Sequence, residues 1–167
     1  VGVVSQRTHL FNDTIKNNLR LARPEASDDD IIEAARKAQI HTFIQSLPLG
    51  YDTWIGEQGL RLSGGERQRL AIARAVIHDP AILLLDEPMA GVNPALKQSL
   101  LGHVKALRDR GMTVLFVEHD MDVVQEISEW VVVLSQGRVI AEGPPSSIAK
   151  NDAVIDAYLG LHHGEKP

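Results

Sequence analysis

The run Ala81-Ile82-Leu83-Leu84-Leu85-Asp86-Glu87-Pro88 decides how the rest of the chain is read. Five apolar residues in a row, without alternation, predict a strand covered on both faces inside a parallel sheet. Two adjacent carboxylates then stand at its C-terminal end, where loss of solvation is costly. Ligands of open α/β sheets bind at that edge. Asp86 is suited to hold Mg²⁺, and Glu87 to orient or deprotonate an attacking water. Helix capping by one of the two acids is the competing structural role.

Upstream, a helix is predicted from Gly65 to Ile77, ending before Asp79-Pro80 because proline disfavours helical backbone in the residue before it. Its entry, Leu62-Ser63-Gly64-Gly65-Glu66, is followed by Arg67-Gln68-Arg69. Ser-Gly-Gly opening a helix makes an anion site: glycine lets backbone N–H groups approach an oxygen, Ser63 offers a hydroxyl, and the helix dipole favours negative charge. A serine-capped helix after a glycine turn is the alternative. Farther back, Ser27 caps a helix whose first turn is Asp28-Asp29-Asp30, with Ile31, Ile32, Ala35 and Ala38 as its apolar stripe. Val1 to Ser5 reads as the end of a buried strand.

Downstream, a helix from about Ala95 reaches Gly111, a C′ glycine, and Thr113 to Val117 is a short buried strand. His119 follows it, at the same predicted sheet edge as Asp86 and Glu87. Gln6, after the first strand, is a fourth polar position able to converge there. Met121, Val124 and Ile127 predict a helix over 120–128. Trp130–Ser135 and Arg138–Glu142 flank Gln136-Gly137 as a hairpin, and the tail from His162 is expected to fray. Helices alternating with strands define an α/β sheet covered by helices.

Composition narrows the function classes. The 167 residues are 44% hydrophobic and 23% charged, as in one globular domain with a core of its own. No cysteine is present, which excludes a disulfide framework, a thiolate metal site and a cysteine nucleophile. Seventeen Lys and Arg against 22 Asp and Glu give a net charge of -5, the wrong sign for a dedicated nucleic-acid binder. No apolar run approaches the roughly 20 residues that cross a bilayer.

Taken together, these stretches resemble the ATP-binding cassette (ABC) ATPase family over essentially the whole chain. Leu62 to Glu66 matches the signature motif, Ile82 to Pro88 the Walker B strand, Gln6 the Q-loop glutamine and His119 the switch histidine. The resemblance implies a P-loop NTPase-like α/β cassette fragment, with a parallel sheet core, a helical signature subdomain and a C-terminal hairpin. It places a partial ATPase domain over 1–160: signature subdomain at about 12–78, Walker B and switch region at about 79–130, hairpin and last helices at about 131–160. A flexible tail would occupy 161–167. It further implies ATP and Mg²⁺ as ligands, with Asp86 organising the metal, Glu87 as the catalytic carboxylate and His119 on the γ-phosphate. Gln6 would touch metal and water. Ser63, Gly64, Gly65 and Glu66, with Asn93 of the D-loop, would serve a nucleotide shared with a second cassette packed head to tail. A transmembrane transporter subunit is the other implied partner, which puts the chain at the cytoplasmic inner face of a membrane.

Two departures qualify the resemblance. No G-x-x-x-x-G-K-[ST] occurs in the 167 residues, which reads as the C-terminal part of a cassette, inactive by itself. The halves also resemble different branches. Ser5 to Phe11, Leu21 to Pro24 and Thr53 to Gly59 are similar to a thiol exporter linked to cytochrome bd assembly. Met89 to Pro94, Glu118 to Met121 and Ala157 to Gly160 are similar to importers of branched-chain amino acids, which also carry Asn at the Asn93 position in place of the common aspartate. A join near 71–80 suggests a hybrid. The rival function classes are a non-catalytic cassette that only docks on a partner, and a soluble ABC ATPase of repair or translation. The exporter-like and importer-like segments argue against the latter.

Overall fold

The computed structural model describes residues 1–5, 9–56, 61–89 and 94–159. They form two compact units, Val1–Glu118 and His119–Pro167. In the first, strands β1 (Gly2–Val4), β2 (Ile82–Asp86) and β3 (Thr113–Val117) form a parallel sheet in the order β1-β2-β3. Parallel neighbours require long crossovers. Helices α1 (Ile15–Arg20), α2 (Asp28–Lys37), α3 (His41–Ser46) and α4 (Gly64–Val76) lie between β1 and β2, and α5 (Pro94–Asp109) lies between β2 and β3.

The expectation that β2 is covered on both faces is corrected. Side chains alternate across a strand, and one set, Val4, Leu83 and Leu85, is buried. The opposite face carries Val3, Ile82, Leu115 and Val117 at 59, 41, 58 and 51% exposure. The expected burial of the Thr113–Val117 strand is corrected with it. An unalternating apolar run therefore does not measure how many layers cover a strand. On the buried face α4 comes very close: a Cβ added to Gly2 would stand 2.8 Å from the Ala75 carbonyl oxygen. Only a glycine fits under that turn of helix.

The helical part of the first unit is built from short pieces. Ile15 and Leu19 of α1, Ile31, Ala34 and Ala35 of α2, and Ile44 of α3 are all buried. Ala34, not the expected Ile32, completes the α2 stripe. Ser27 caps α2 reciprocally, accepting from the Asp30 N–H while the Asp30 carboxylate accepts from the Ser27 N–H. The six-residue helices α1 and α3 are too short for a 3.6-residue period to announce them. The chain before α1 is pinned by a fully buried Asn18. Its amide accepts from the Phe11 N–H at 2.8 Å and donates to the carbonyls of Phe11 and Thr14. Thr14 bridges antiparallel to Trp54, and the Trp54 indole N–H donates to Asn12 Oδ1 at 2.8 Å. Helix α4 ends as expected before Asp79-Pro80, where Asp79 takes a φ of 50° and meets Lys37 Nζ at 2.6 Å.

In the second unit, Asp120 caps α6 (Met121–Ile127) by accepting from the N–H groups of Asp122 and Val123. The predicted hairpin is present as β4 (Val131–Ser135) and β5 (Arg138–Gly143). Gln136 and Gly137 both have positive φ, 48° and 76°, as a type I′ turn requires. Trp130, just before β4, is 62% exposed. Helices α7 (Pro145–Ile148) and α8 (Asp152–Leu159) pack on β5. The tail expected to fray, 161–167, lies outside the described residues.

Candidate nucleotide site

The central strand β2 delivers Asp86 and Glu87 to the C-terminal edge of the sheet, both half-buried. The chain turns sharply there. Glu87 has a φ of 44°, left-handed backbone that a residue with a Cβ adopts at a cost of about 1–2 kcal/mol. Strain of this kind gathers at functional sites when the surroundings over-determine it. The surroundings here are the end of β3. The Glu87 N–H donates to the Val117 carbonyl at 3.0 Å, and the Met89 N–H donates to Glu118 Oε1 at 3.0 Å, while Pro88 and Met89 are buried. The next helix begins at Pro94, seven positions beyond Glu87.

At the entry of α4, Ser63 is the N-cap and Gly64, Gly65 and Glu66 form the first turn. The Ser63 N–H donates to Glu66 Oε2 at 2.7 Å, and Ser63 Oγ accepts from the Glu66 N–H at 3.4 Å. The serine-capped helix is thus present, and Glu66 serves the cap. It leaves the exposed Gly64 on a helix end with positive partial charge. Arg67 adds full charge, with Nη2 3.9 Å from where a Gly64 Cβ would stand and Nη1 donating to the Leu62 carbonyl. On the same helix Gln68 is buried, and the Arg69 charge reaches His103 of α5. Burial lowers the pKa of the Arg69 guanidinium, opposed by Glu66. Burial, and the Arg69 charge beside it, hold His103 below the ordinary histidine range.

His119 is the first residue of the second unit, exposed, two positions beyond β3 in the chain. Gln6 and Asn93 lie outside the described residues. Sequence reasoning missed Glu118 and Arg67 as site residues. Glu118 entered only as part of a stretch resembling importers, and nothing local marks a carboxylate whose partner is an amide 29 positions away. Among the described residues there is no group of three or more side chains able to ligate a metal. The donor chemistry at Asp86 suits Mg²⁺, which is usually held through one or two carboxylates while phosphates and water complete its shell. Among the described residues no helix is long and apolar enough to cross a membrane.

A parallel sheet with an acidic pair at the end of the central strand, and a Ser-Gly-Gly-capped helix, are what the resemblance to an ATP-binding cassette implies. The family profile described as ABC transporter matches residues 1–90, and that described as branched-chain amino acid ATP-binding cassette transporter matches 138–164. The chain belongs to the ABC transporter family. It is 39% identical, over all of its length, to 28% of the glutathione/L-cysteine transport system ATP-binding/permease protein CydD of Bacillus subtilis. It is 42% identical, over 97% of its length, to 26% of the ATP-dependent lipid A-core flippase of Syntrophus aciditrophicus. A solved bacterial Atm1-family ABC exporter with ATP bound superposes with a TM-score of 0.82 at 35% identity, covering 99% of this chain and 29% of that one. The chain therefore spans little more than a quarter of these relatives. The exporter-type resemblance finds its counterpart in the solved Atm1-family exporter, and the importer-type resemblance in the profile over residues 138–164.

Proposed function

We propose that these residues form the ATP-hydrolysing part of an ABC transporter, coupling hydrolysis to transmembrane transport. The observation that carries this reading is Glu87: a carboxylate held in left-handed backbone, beside Asp86, by two hydrogen bonds that its turn donates to the exit of the neighbouring strand. Glu87 orients the attacking water and takes up its proton, and His119 contacts the γ-phosphate. Asp86, with Gln6, holds Mg²⁺, which supplies neutralisation of phosphate charge. Ser63 and the Gly64 and Gly65 amides clasp a nucleotide held mainly by a second cassette packed head to tail, with Glu66 bracing the cap and Asn93 lining the junction. The working complex includes a transmembrane subunit, sits at the cytoplasmic membrane face and needs no nucleic acid. The 167 residues contain no G-x-x-x-x-G-K-[ST], so a polypeptide limited to them is proposed to bind MgATP no better than millimolar and not to turn it over.

The test is Glu87→Gln in the intact protein. An amide keeps the shape but cannot accept a proton, so ATP binding is expected to survive while steady-state hydrolysis falls about 10²-fold or more. Unchanged turnover would remove Glu87 from the catalytic role.

A further inference from the structure

The turn that carries Glu87 has few ways to be held. Residue 88 is proline and has no N–H, so residues 87 to 89 own two backbone donors. Both are engaged by the exit of β3: the Glu87 N–H by the Val117 carbonyl at 3.0 Å, and the Met89 N–H by Glu118 Oε1 at 3.0 Å. The first bond continues the β2–β3 ladder beyond Asp86↔Val117 and is made by backbone alone. The second depends on a side chain. Because Glu87 stands at a φ of 44°, a turn released at Met89 has an incentive to relax toward ordinary backbone and carry the Glu87 carboxylate away. The burial of Pro88 and Met89 keeps water from replacing the lost acceptor easily.

We infer that Glu118 is a positioning residue: by accepting the Met89 N–H it fixes the left-handed turn that aims Glu87, and so sets the rate of hydrolysis without touching nucleotide. This rests on Glu87 being the catalytic carboxylate. What the tie needs from Glu118 is an acceptor oxygen at that reach and not a negative charge. Glutamine should therefore replace it, whereas alanine should not.

Three variants in the intact protein test this. Glu118→Ala should lower kcat for ATP about tenfold with KM within about twofold, and should abolish hydrogen-exchange protection of the Met89 amide. Glu118→Gln should keep that protection and recover kcat to within about twofold of the parent. Wild-type protection in Glu118→Ala would overturn the tie. Lost protection with unchanged kcat would overturn the positioning role. A Glu118→Gln variant as slow as Glu118→Ala would show that charge, not the hydrogen bond, matters, and would overturn it too. Glu87→Gln, measured alongside, separates the layers: parental turnover there sinks the catalytic assignment itself, whatever Met89 exchange shows.

Discussion

His103 illustrates how a single buried group sets a pH dependence. Burial of its ring, and the Arg69 charge nearby, make the folded protein resist its protonation. Once unfolded, the ring returns to its ordinary pKa of about 6.5. Below that pH the unfolded chain binds a proton that the folded one refuses, so stability falls as pH drops through 6.5 and levels off beneath the folded-state pKa. His103→Gln should flatten this loss, read as melting temperature between pH 7.5 and 5. An equally steep loss in the variant would exonerate His103. The paired carboxylates of Asp28, Asp30 and Asp79, whose pKa values are lowered by hydrogen bonds and nearby cations, act at more acid pH. Asn18 makes a second residue-level case. Asn18→Ala strands the part-buried Phe11 N–H, while the Phe11 and Thr14 carbonyls keep the backbone N–H groups of Asp13 and Asn18, and should cost about 1–3 kcal/mol in denaturant unfolding. A loss under 1 kcal/mol would mean that water fills the gap.

Among elements, α4 approaches β1 closely at Gly2. Gly2→Ala would force the Ala75 carbonyl oxygen away from a 2.8 Å approach. Backbone shifts of that kind cost about 1–3 kcal/mol, so a clear fall in melting temperature is expected, and an unchanged one would show that β1 slides freely. The sequence announces α2, α4 and the β4–β5 hairpin because each carries a local device: a capping box at Ser27, another at Ser63, and a Gln136-Gly137 pair ready for positive φ. It is silent about α1 and α3, where six residues hold less than two turns. It also announces the acidic pair at the end of β2, since charge after an apolar strand is visible in one dimension. The contribution of β3 to that turn is not visible, because the bond from Met89 to Glu118 joins residues brought together only by strand pairing. The expected burial of the sheet holds on one face only for a related reason: apolar composition records which residues can be covered, and the packing of other elements decides which are.

At the scale of the 167-residue polypeptide, the sheet face that is exposed among the described residues bears on behaviour in solution. Val3, Leu115 and Val117 are each more than half exposed, and contiguous apolar surface of this sort invites association. Leu115→Lys should reduce self-association of the 167-residue polypeptide in sedimentation without lowering its melting temperature; a variant that unfolds instead would show that the face is packed. The same polypeptide should melt alike with and without 1 mM MgATP, since ligand near its Kd stabilises by only about 0.4 kcal/mol. A marked upward shift would reveal tighter binding than proposed. Finally, the chain has two tryptophans, and they fall one to each compact unit. Trp54 is anchored to Asn12 in the first, and Trp130 stands at the start of the hairpin in the second. Intrinsic fluorescence is thereby a two-channel instrument: Trp130→Phe leaves emission from the first unit alone, Trp54→Phe from the second alone. Comparing the two denaturation curves tells whether the units come apart together or one after the other, with no label attached.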